Sequence, residues 1–351
     1  MPVTLKEVAR EAGVSVATAS LALNGDRRVN VHTRTRVRTV ARQLGYVLDV
    51  RGRALRSRRT KVIGLVVDVI NSSFYFEIIQ AVKARVEADG YTVILGSCQY
   101  GSAQQYLDEL KRYVDVFRGG LVDGVIFAPG IPSETRESQL IIDLADNYVP
   151  VVFIDVGSQQ YGNIPVIKPD MRMAGQIATE HLISLGHERI AFAGVLGEDR
   201  ALGYLQTMES HGIQVRDSMV LAGYGSDAIN TFEGGLRVGN QLADLSEPPT
   251  ALVCFSDEVA MGAIQSLVSR GISVPEEMSV VGMDDIDVSA FYNPPLTTVG
   301  IQKKEMAIDA AGLLLRMIEG DKIPPEELLV RYGVKLVVRK STAPARRESR
   351  R

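Results

Sequence analysis

Leu5, Val8, Ala9 and Ala12 recur at i, i+3, i+4 and i+7, the spacing that lines one face of a helix. Thr4 stands at the N-cap position and Gly13 where such a helix ends. Ser15 supplies a second N-cap after a minimal turn, and the helix it opens is stopped by Asn24-Gly25. A third helix follows Asn30, with Val37, Val40, Ala41 and Leu44 on its inner face, Arg34, Arg36, Arg38 and Arg42 around the remainder, and Gly45 at its end. Two short helices joined by a Gly-containing turn form a helix-turn-helix, and the third completes a small shared core.

From Lys61 the pattern changes. Short β-branched runs alternate with amphipathic stretches, the signature of βαβ units and a parallel sheet. VIGLVVDVI, TVILGSC, DGVIFAPG and VPVVFID read as one series of buried strands; RIAFAG, SMVLAG, TALVCFSD and MSVVGMDD read as a second. MAGQIATEHLISLG and EVAMGAIQSLVSRG are helical spacers in that second series. The expected fold is α/β: a three-helix helix-turn-helix head followed by two doubly wound parallel-sheet lobes.

Composition fits a globular chain of two or three domains, with 351 residues, 46% apolar and 23% charged. No apolar run approaches the roughly 20 residues that span a bilayer, and the start lacks a basic region followed by an apolar stretch. A cytoplasmic location without membrane attachment is therefore expected. Cys98 and Cys254 lie in apolar strand-like runs and read as buried thiols.

Charge changes the picture. Residues 1–60 hold 13 Lys and Arg against 4 Asp and Glu, a net +9, while the rest of the chain carries −12 within a total of −3. Screening acts over about 8–10 Å, so a polyanion would respond to the local +9 rather than to the acidic body. The head is a candidate for double-stranded DNA. On pattern alone, a basic module that docks another protein, attached to a sugar-binding or enzymatic α/β body, remains open.

The stretch VTLKEVAREAGVSVATAS, followed by LNG, TRTRV and LGY, resembles the DNA-binding domain of the lactose-repressor/galactose-repressor family of bacterial transcription regulators, and the similarity extends to about Thr342. The resemblance implies a homodimer on a pseudo-palindromic operator. It places Val16, Ala17 and Leu21 against base edges, with Ala19, Ala22 and Leu23 packed inward. Thr4, Ser15, Ser20, Asn24, Thr33 and Tyr46, with the arginines, become phosphate contacts that position the head. Small side chains after the N-cap let the backbone come close to the bases, which gives the uncharged VSVATASLAL a use inside a basic segment. Leu21 stands where many members carry an Arg that contacts guanine, so thymine methyls and groove shape are the expected readout.

The arginine-rich stretch 49–61 resembles the family's hinge, which folds on operator and wedges a leucine into the minor groove. Arg51, Gly52, Arg53 and Leu55 match that segment. Leu48-Asp49 replaces the frequent Pro-Asn, and Gly52 replaces Ala at a cost of about 1 kcal/mol in helix propensity. The domains implied are 1–46 for the head, 47–60 for the hinge, 61–340 for an effector-binding and dimerisation core with crossovers near 162, 291 and 324, and 341–351 for a disordered basic tail.

In open parallel sheets ligands bind beyond the carboxyl ends of strands. The family pattern falls there on Asn71, Phe74, Tyr75, Asp155, Arg200, Tyr224, Ser256 and Asp284. Asp and Arg with aromatic faces suit a sugar-like effector; the aromatics would also accommodate a purine, and Asp155 or Asp284 could instead cap helices. Asp170 reads as a helix cap. The chain shows no phosphate loop or dinucleotide turn, and His32, His181, His187 and His211 lack metal-ligand spacing. No enzymatic activity, metal or cofactor is expected. The reading is a ligand-responsive transcriptional regulator, a repressor of carbohydrate genes in its first form and a purine- or other metabolite-responsive regulator in its second.

Overall fold

The computed structural model describes residues 3–46, 59–98, 103–128, 136–154, 161–222 and 231–346. The chain divides into two compact units, Met1–Thr60 and Lys61–Arg351.

The head contains α1 (Leu5–Glu11), α2 (Val16–Leu23) and α3 (Val31–Gln43). Val8, Ala9, Ala12, Ala19, Ala22, Val29, Val37 and Ala41 are buried together, and Leu5, Val14, Leu21, Leu23, Val40 and Tyr46 close over them partly exposed. Alanine dominates because three short helices crossing at close range leave little room between them. Leu44, expected on the inner face of α3, is the C-cap residue and is exposed, because the helix ends before it can turn inward. Gly13, Gly25 and Gly45 each follow a helix with φ of 64°, 76° and 68°, the left-handed region that glycine enters without a Cβ penalty.

The body opens with β1 (Val62–Val67), α4 (Ser73–Glu87), β2 (Thr92–Ser97), α5 (Ala103–Arg118), β3 (Gly124–Ala128), α6 (Arg136–Asn147), β4 (Val151–Ile154) and β5 (Val166–Pro169). It continues with α7 (Met171–Ser184), β6 (Ile190–Gly194), α8 (Asp199–Ser210), β7 (Val220–Ala222), α9 (Phe232–Ala243), β8 (Ala251–Cys254), α10 (Asp257–Ser269), β9 (Ser279–Asp284) and β10 (Thr297–Ile301). Then come α11 (Lys303–Glu319), β11 (Leu329–Tyr332) and β12 (Val334–Val337).

Two six-stranded sheets result, ordered β11-β5-β4-β3-β1-β2 in lobe 1 and β12-β10-β9-β8-β6-β7 in lobe 2. Lobe 1 is wholly parallel; in lobe 2 the edge strand β12 runs antiparallel to β10. The inner strands are continuous apolar runs because helices cover both faces. Cys98 and Cys254 are buried and free; burial pushes the Cys98 thiol up to about 12 and raises that of Cys254 as well.

The chain passes between sheets after β5, after β10 and between β11 and β12. Each passage lies further along than 162, 291 or 324, because one strand that the apolar pattern does not mark precedes each of them. β5 (VIKP), β10 (TTVGI) and β11 (LVRY) are short runs broken by polar residues or glycine, so they do not announce themselves as strands. The tail differs as well. Ser341 is buried, its hydroxyl donates to the Val280 carbonyl, Val280 N donates to the Ser341 carbonyl at 2.8 Å, and Ala345 N reaches Leu185 O at 2.9 Å. Backbone pairing to lobe 2, rather than apolar periodicity, orders residues 341–346. Residues 347–351 lie outside the described residues.

Candidate nucleic-acid interface and effector site

In the head, Thr4 Oγ1 accepts from Glu7 N at 3.4 Å while Glu7 Oε2 accepts from Thr4 N at 2.7 Å, a reciprocal capping box. These hydrogen bonds to Thr4, backbone first, hold the Glu7 carboxyl below its usual range. Ser15 Oγ accepts from Thr18 N at 3.0 Å and opens α2; Asn24 Nδ2 donates to Ser20 O at 2.8 Å and closes it. Asn30 Oδ1 accepts from His32 N at 2.8 Å at the start of α3. The caps fix where the expected DNA contacts stand. Val16 is 43% exposed and Ala17 is exposed beside it, whereas Leu21 is half-buried against the core. Thr4, Ser15 and Asn24 are exposed, Thr33 and Tyr46 half-buried, and Ser20 buried.

Not every arginine is available for a phosphate. Arg34 Nη2 donates to Asp26 O at 3.2 Å and Val29 O at 2.9 Å, holding the loop between α2 and α3. Arg28 pairs with Asp26 at 2.7 Å, and that guanidinium pulls the Asp26 carboxyl down to about 2. The Asp-Arg-Arg run was legible as charge, not as a loop brace. Arg36, Arg38 and Arg42 remain exposed along α3. Arg51, Gly52, Arg53 and Leu55 lie outside the described residues.

In the body, the described members of the expected effector set, Asn71, Phe74, Tyr75, Arg200, Ser256 and Asp284, lie at or just after strand ends or at the starts of the helices that follow. Asn71 is exposed in the turn after β1; Phe74 and Tyr75 open α4 as an edge-to-face pair with ring centroids 5.1 Å apart. Phe74 is buried in the core, while Tyr75 is half-buried with its hydroxyl on Asp68 Oδ2 at 3.2 Å. Asp68, which the apolar pattern passed over, directly follows β1 and is itself buried.

In lobe 2, Arg200 stacks its guanidinium over the Phe255 ring at 4.1 Å and sits 3.6 Å from Glu198 and 4.0 Å from Asp284. Asp284 ends β9 with φ 109° and is buried. Ser256 caps α10 through Val259 N at 3.3 Å, so its hydroxyl has a structural task at the same strand end. Asp170 caps α7 through Met173 N at 3.0 Å. Asp155 and Tyr224 lie outside the described residues. The structure thus brings Arg200 and Asp284 together and sets Tyr75 beside Asp68.

Three residues that pattern reading missed surround this region. Glu258 of lobe 2 accepts from Ser72 Oγ of lobe 1 at 3.2 Å, with burial raising its carboxyl. Lys168 on β5 pairs with Asp199 on α8 at 3.4 Å. Lys303, buried, pairs with Glu77 at 3.1 Å. No helix among the described residues is long and apolar enough to cross a membrane.

A capped, basic helix-turn-helix followed by two parallel-sheet lobes with polar strand ends defines a class of protein, a DNA-binding head carried on a small-molecule-binding core. Residues 4–49 match bacterial regulatory proteins of the lacI family, and residues 179–342 match the periplasmic binding protein-like domain. The transcriptional repressor PurR of Actinobacillus pleuropneumoniae serotype 3 (strain JL03) is 32% identical over 343 residues, 96% of this chain and 98% of that protein. Among solved structures, the Lac repressor dimer bound to operator and the anti-inducer ONPF superposes with a TM-score of 0.82 at 25% identity, covering 98% of this chain and 100% of that one. The regulator CelR in complex with cellobiose superposes with a TM-score of 0.70 at 27% identity, covering 97% and 99%. The chain belongs to the lacI family of bacterial regulatory proteins and is a ligand-responsive, sequence-specific DNA-binding transcriptional regulator.

Proposed function

We propose that the protein is a cytoplasmic repressor that works as a homodimer, laying two α2 helices in successive major grooves of a pseudo-palindromic operator. A single head offers three short side chains to the bases, too few for specificity; a two-fold pair doubles base and phosphate contacts. The carrying observation is the α2 N-terminus, where the Ser15 cap leaves Val16 and Ala17 exposed within a segment, residues 1–60, of net +9. Leu21 covers the core with one side and leaves the other to a thymine methyl. Thr4, Ser15, Asn24, Thr33 and Tyr46, with Arg36, Arg38 and Arg42, hold phosphates; Ser20 contributes through its buried position in α2. Leu55 acts as the minor-groove wedge beside Arg51, Gly52 and Arg53.

The effector in this reading is a small sugar-like molecule held at the strand ends by Asn71, Tyr75, Asp155, Arg200, Tyr224, Ser256 and Asp284, with Phe74 backing Tyr75. The Arg200 and Asp284 pair supports a polyol, because a charged donor beside a charged acceptor serves adjacent hydroxyls. CelR's complex with cellobiose shows a relative using this fold for a disaccharide. The products controlled would then be carbohydrate genes.

Operator selection from random DNA with the full chain tests the reading. A two-fold symmetric consensus is expected, with log affinity falling against log salt at a slope near −0.9 for each neutralised phosphate. Addition of mono- and disaccharides is expected to shift that affinity. A site without symmetry, or a slope near zero, would refute the DNA reading; a response to nucleobases alone would refute the sugar.

A further inference from the structure

We propose that Lys303 is a positioning residue: it ties the strained turn Asp284-Asp285 of lobe 2 to helix α4 of lobe 1 through Glu77. Lys303 is the first residue of α11, immediately after the chain has crossed from lobe 2 into lobe 1. It is 2% exposed. A buried ammonium has to be paired and hydrogen-bonded, and its three protons call for three acceptors. They are the Asp284 carbonyl, the Asp285 carbonyl at 3.2 Å and Glu77 Oε1 at 3.1 Å. The Phe74 ring centroid lies 6.0 Å away.

The two carbonyls belong to consecutive non-glycine residues with φ of 109° and 50°. The second is a left-handed value that Asp adopts with modest penalty; the first lies beyond it and persists only where surrounding contacts over-determine it. Those contacts are visible. Asp284 faces Arg200 at 4.0 Å, Asp285 is held by Arg339 at 2.6 Å, and Ile286 N donates to Asp257 Oδ2 at 2.9 Å. Side chains are thereby fixed from within lobe 2, whereas the backbone carbonyls are fixed by a residue of α11 whose remaining proton is spent on α4. Its three bonds can be made together only while α4, α11 and the turn keep their present relation. Any displacement of lobe 1 against lobe 2 must strip an acceptor from a buried cation or release the turn that aims Asp284. That this turn faces the effector rests on the reading of Asp284 given above.

Hydrogen exchange of the full chain, without DNA or effector, tests the link. Glu77 is a third exposed, so Glu77→Gln preserves the fold while weakening its hold on the ammonium. Exchange at residues 284–289 is expected to speed up about tenfold in Glu77→Gln although the substitution lies in the other lobe, with strands β6 and β8 unchanged. Lys303→Met should reproduce the effect, and the double variant should add nothing to it. Glu87→Gln, removing the exposed Lys83 partner on the same helix, should leave 284–289 as in the parent. Unaltered exchange at 284–289 in Glu77→Gln overturns the proposal, and so does an additive double variant; if Lys303→Met does not fold, the comparison of Glu77→Gln with Glu87→Gln decides alone. Because no operator or sugar is present, failure here leaves the DNA and effector readings standing, and their failure leaves this link standing.

Discussion

The two lobes share a strand order but are packed by different means. In lobe 1 the closest glycines lie on strands and make room for side chains: a Cβ on Gly64 would meet the Phe117 ring at 2.9 Å, on Gly96 the Tyr113 ring at 2.8 Å, and on Gly124 Leu314 Cδ1 at 2.9 Å. In lobe 2 most lie on helices and make room for backbone. A Cβ on Gly175 would meet Arg200 O at 2.1 Å, on Gly203 Arg172 O at 2.1 Å, on Gly235 Val259 O at 2.2 Å, and on Gly262 Phe232 O at 2.1 Å. Lobe 1 is helix on sheet with yielding side-chain tips between; lobe 2 adds two helix pairs, α7 with α8 and α9 with α10, whose main chains touch. A side-chain tip can rotate aside. A helical carbonyl cannot without moving its helix.

That contrast is broken most directly at Gly262. Gly262→Ala is expected to destabilise by about 3 kcal/mol or more, at the upper end of overpacking costs, because the new methyl meets a carbonyl fixed in the α9 ladder. Gly124→Ala, at which Leu314 and Ile318 tips can shift, is expected to cost about 1–2 kcal/mol. Denaturant midpoints of the two variants measure the gap. Equal losses would mean that lobe 1 is as rigidly packed as lobe 2.

The lobes also differ in how they hold a buried carboxylate. Asp68 in lobe 1 accepts from the Tyr75 hydroxyl. Asp257 in lobe 2 is fully buried, and desolvation pushes its carboxyl up to about 6, against hydrogen bonds from Ser289, Thr298 and the Ile286 backbone that pull it down. A carboxyl whose folded pKa is raised binds more protons folded than unfolded, so its contribution is fully present below about 4 and is lost as pH rises through about 6. Asp257→Asn removes that titration, and the Ser289 and Thr298 hydroxyls can turn to accept from the new amide. The stability of the parent relative to the variant is expected to fall by about 2 kcal/mol between pH 4 and pH 7. A difference that stays constant with pH would place the Asp257 carboxyl in its ordinary range.

How much of this was legible depends on what each residue does. N-caps at Thr4, Ser15, Asn30 and Asp170 were readable because a cap is a local event: one side chain, one amide two or three residues on. The eight strongest strands were readable from their apolar runs. β5, β10, β11 and β12 were not, because their place in a sheet is imposed by neighbours distant in sequence and their composition gives no unbroken apolar run. Effector residues were placed at strand ends by resemblance, yet pattern could not show that Phe74 would be drawn into the core or that Ser256 would be used as a cap. Lys303 had no signal at all. In QKKEMA it is one of two adjacent lysines at a helix start, and only the fold shows that one is buried.

The smallest effect sharpens the contrast from the opposite side. Gly312 lies within α11, half-buried, and a Cβ there would have Arg85 Nε at 3.9 Å as its nearest neighbour, an ordinary contact. It is therefore a helical glycine of lobe 1 that makes room for nothing. Glycine in a helix interior costs about 0.5–1 kcal/mol relative to alanine, through the freedom it keeps in the unfolded chain. Gly312→Ala should return that amount as added stability in the same denaturant experiment, while Gly203→Ala, in a helix of equal regularity in lobe 2, should lose several times as much. If Gly312→Ala destabilises instead, α11 is pressed against α4 more closely than its contacts show, and the difference between yielding and unyielding lobes would have to be drawn elsewhere.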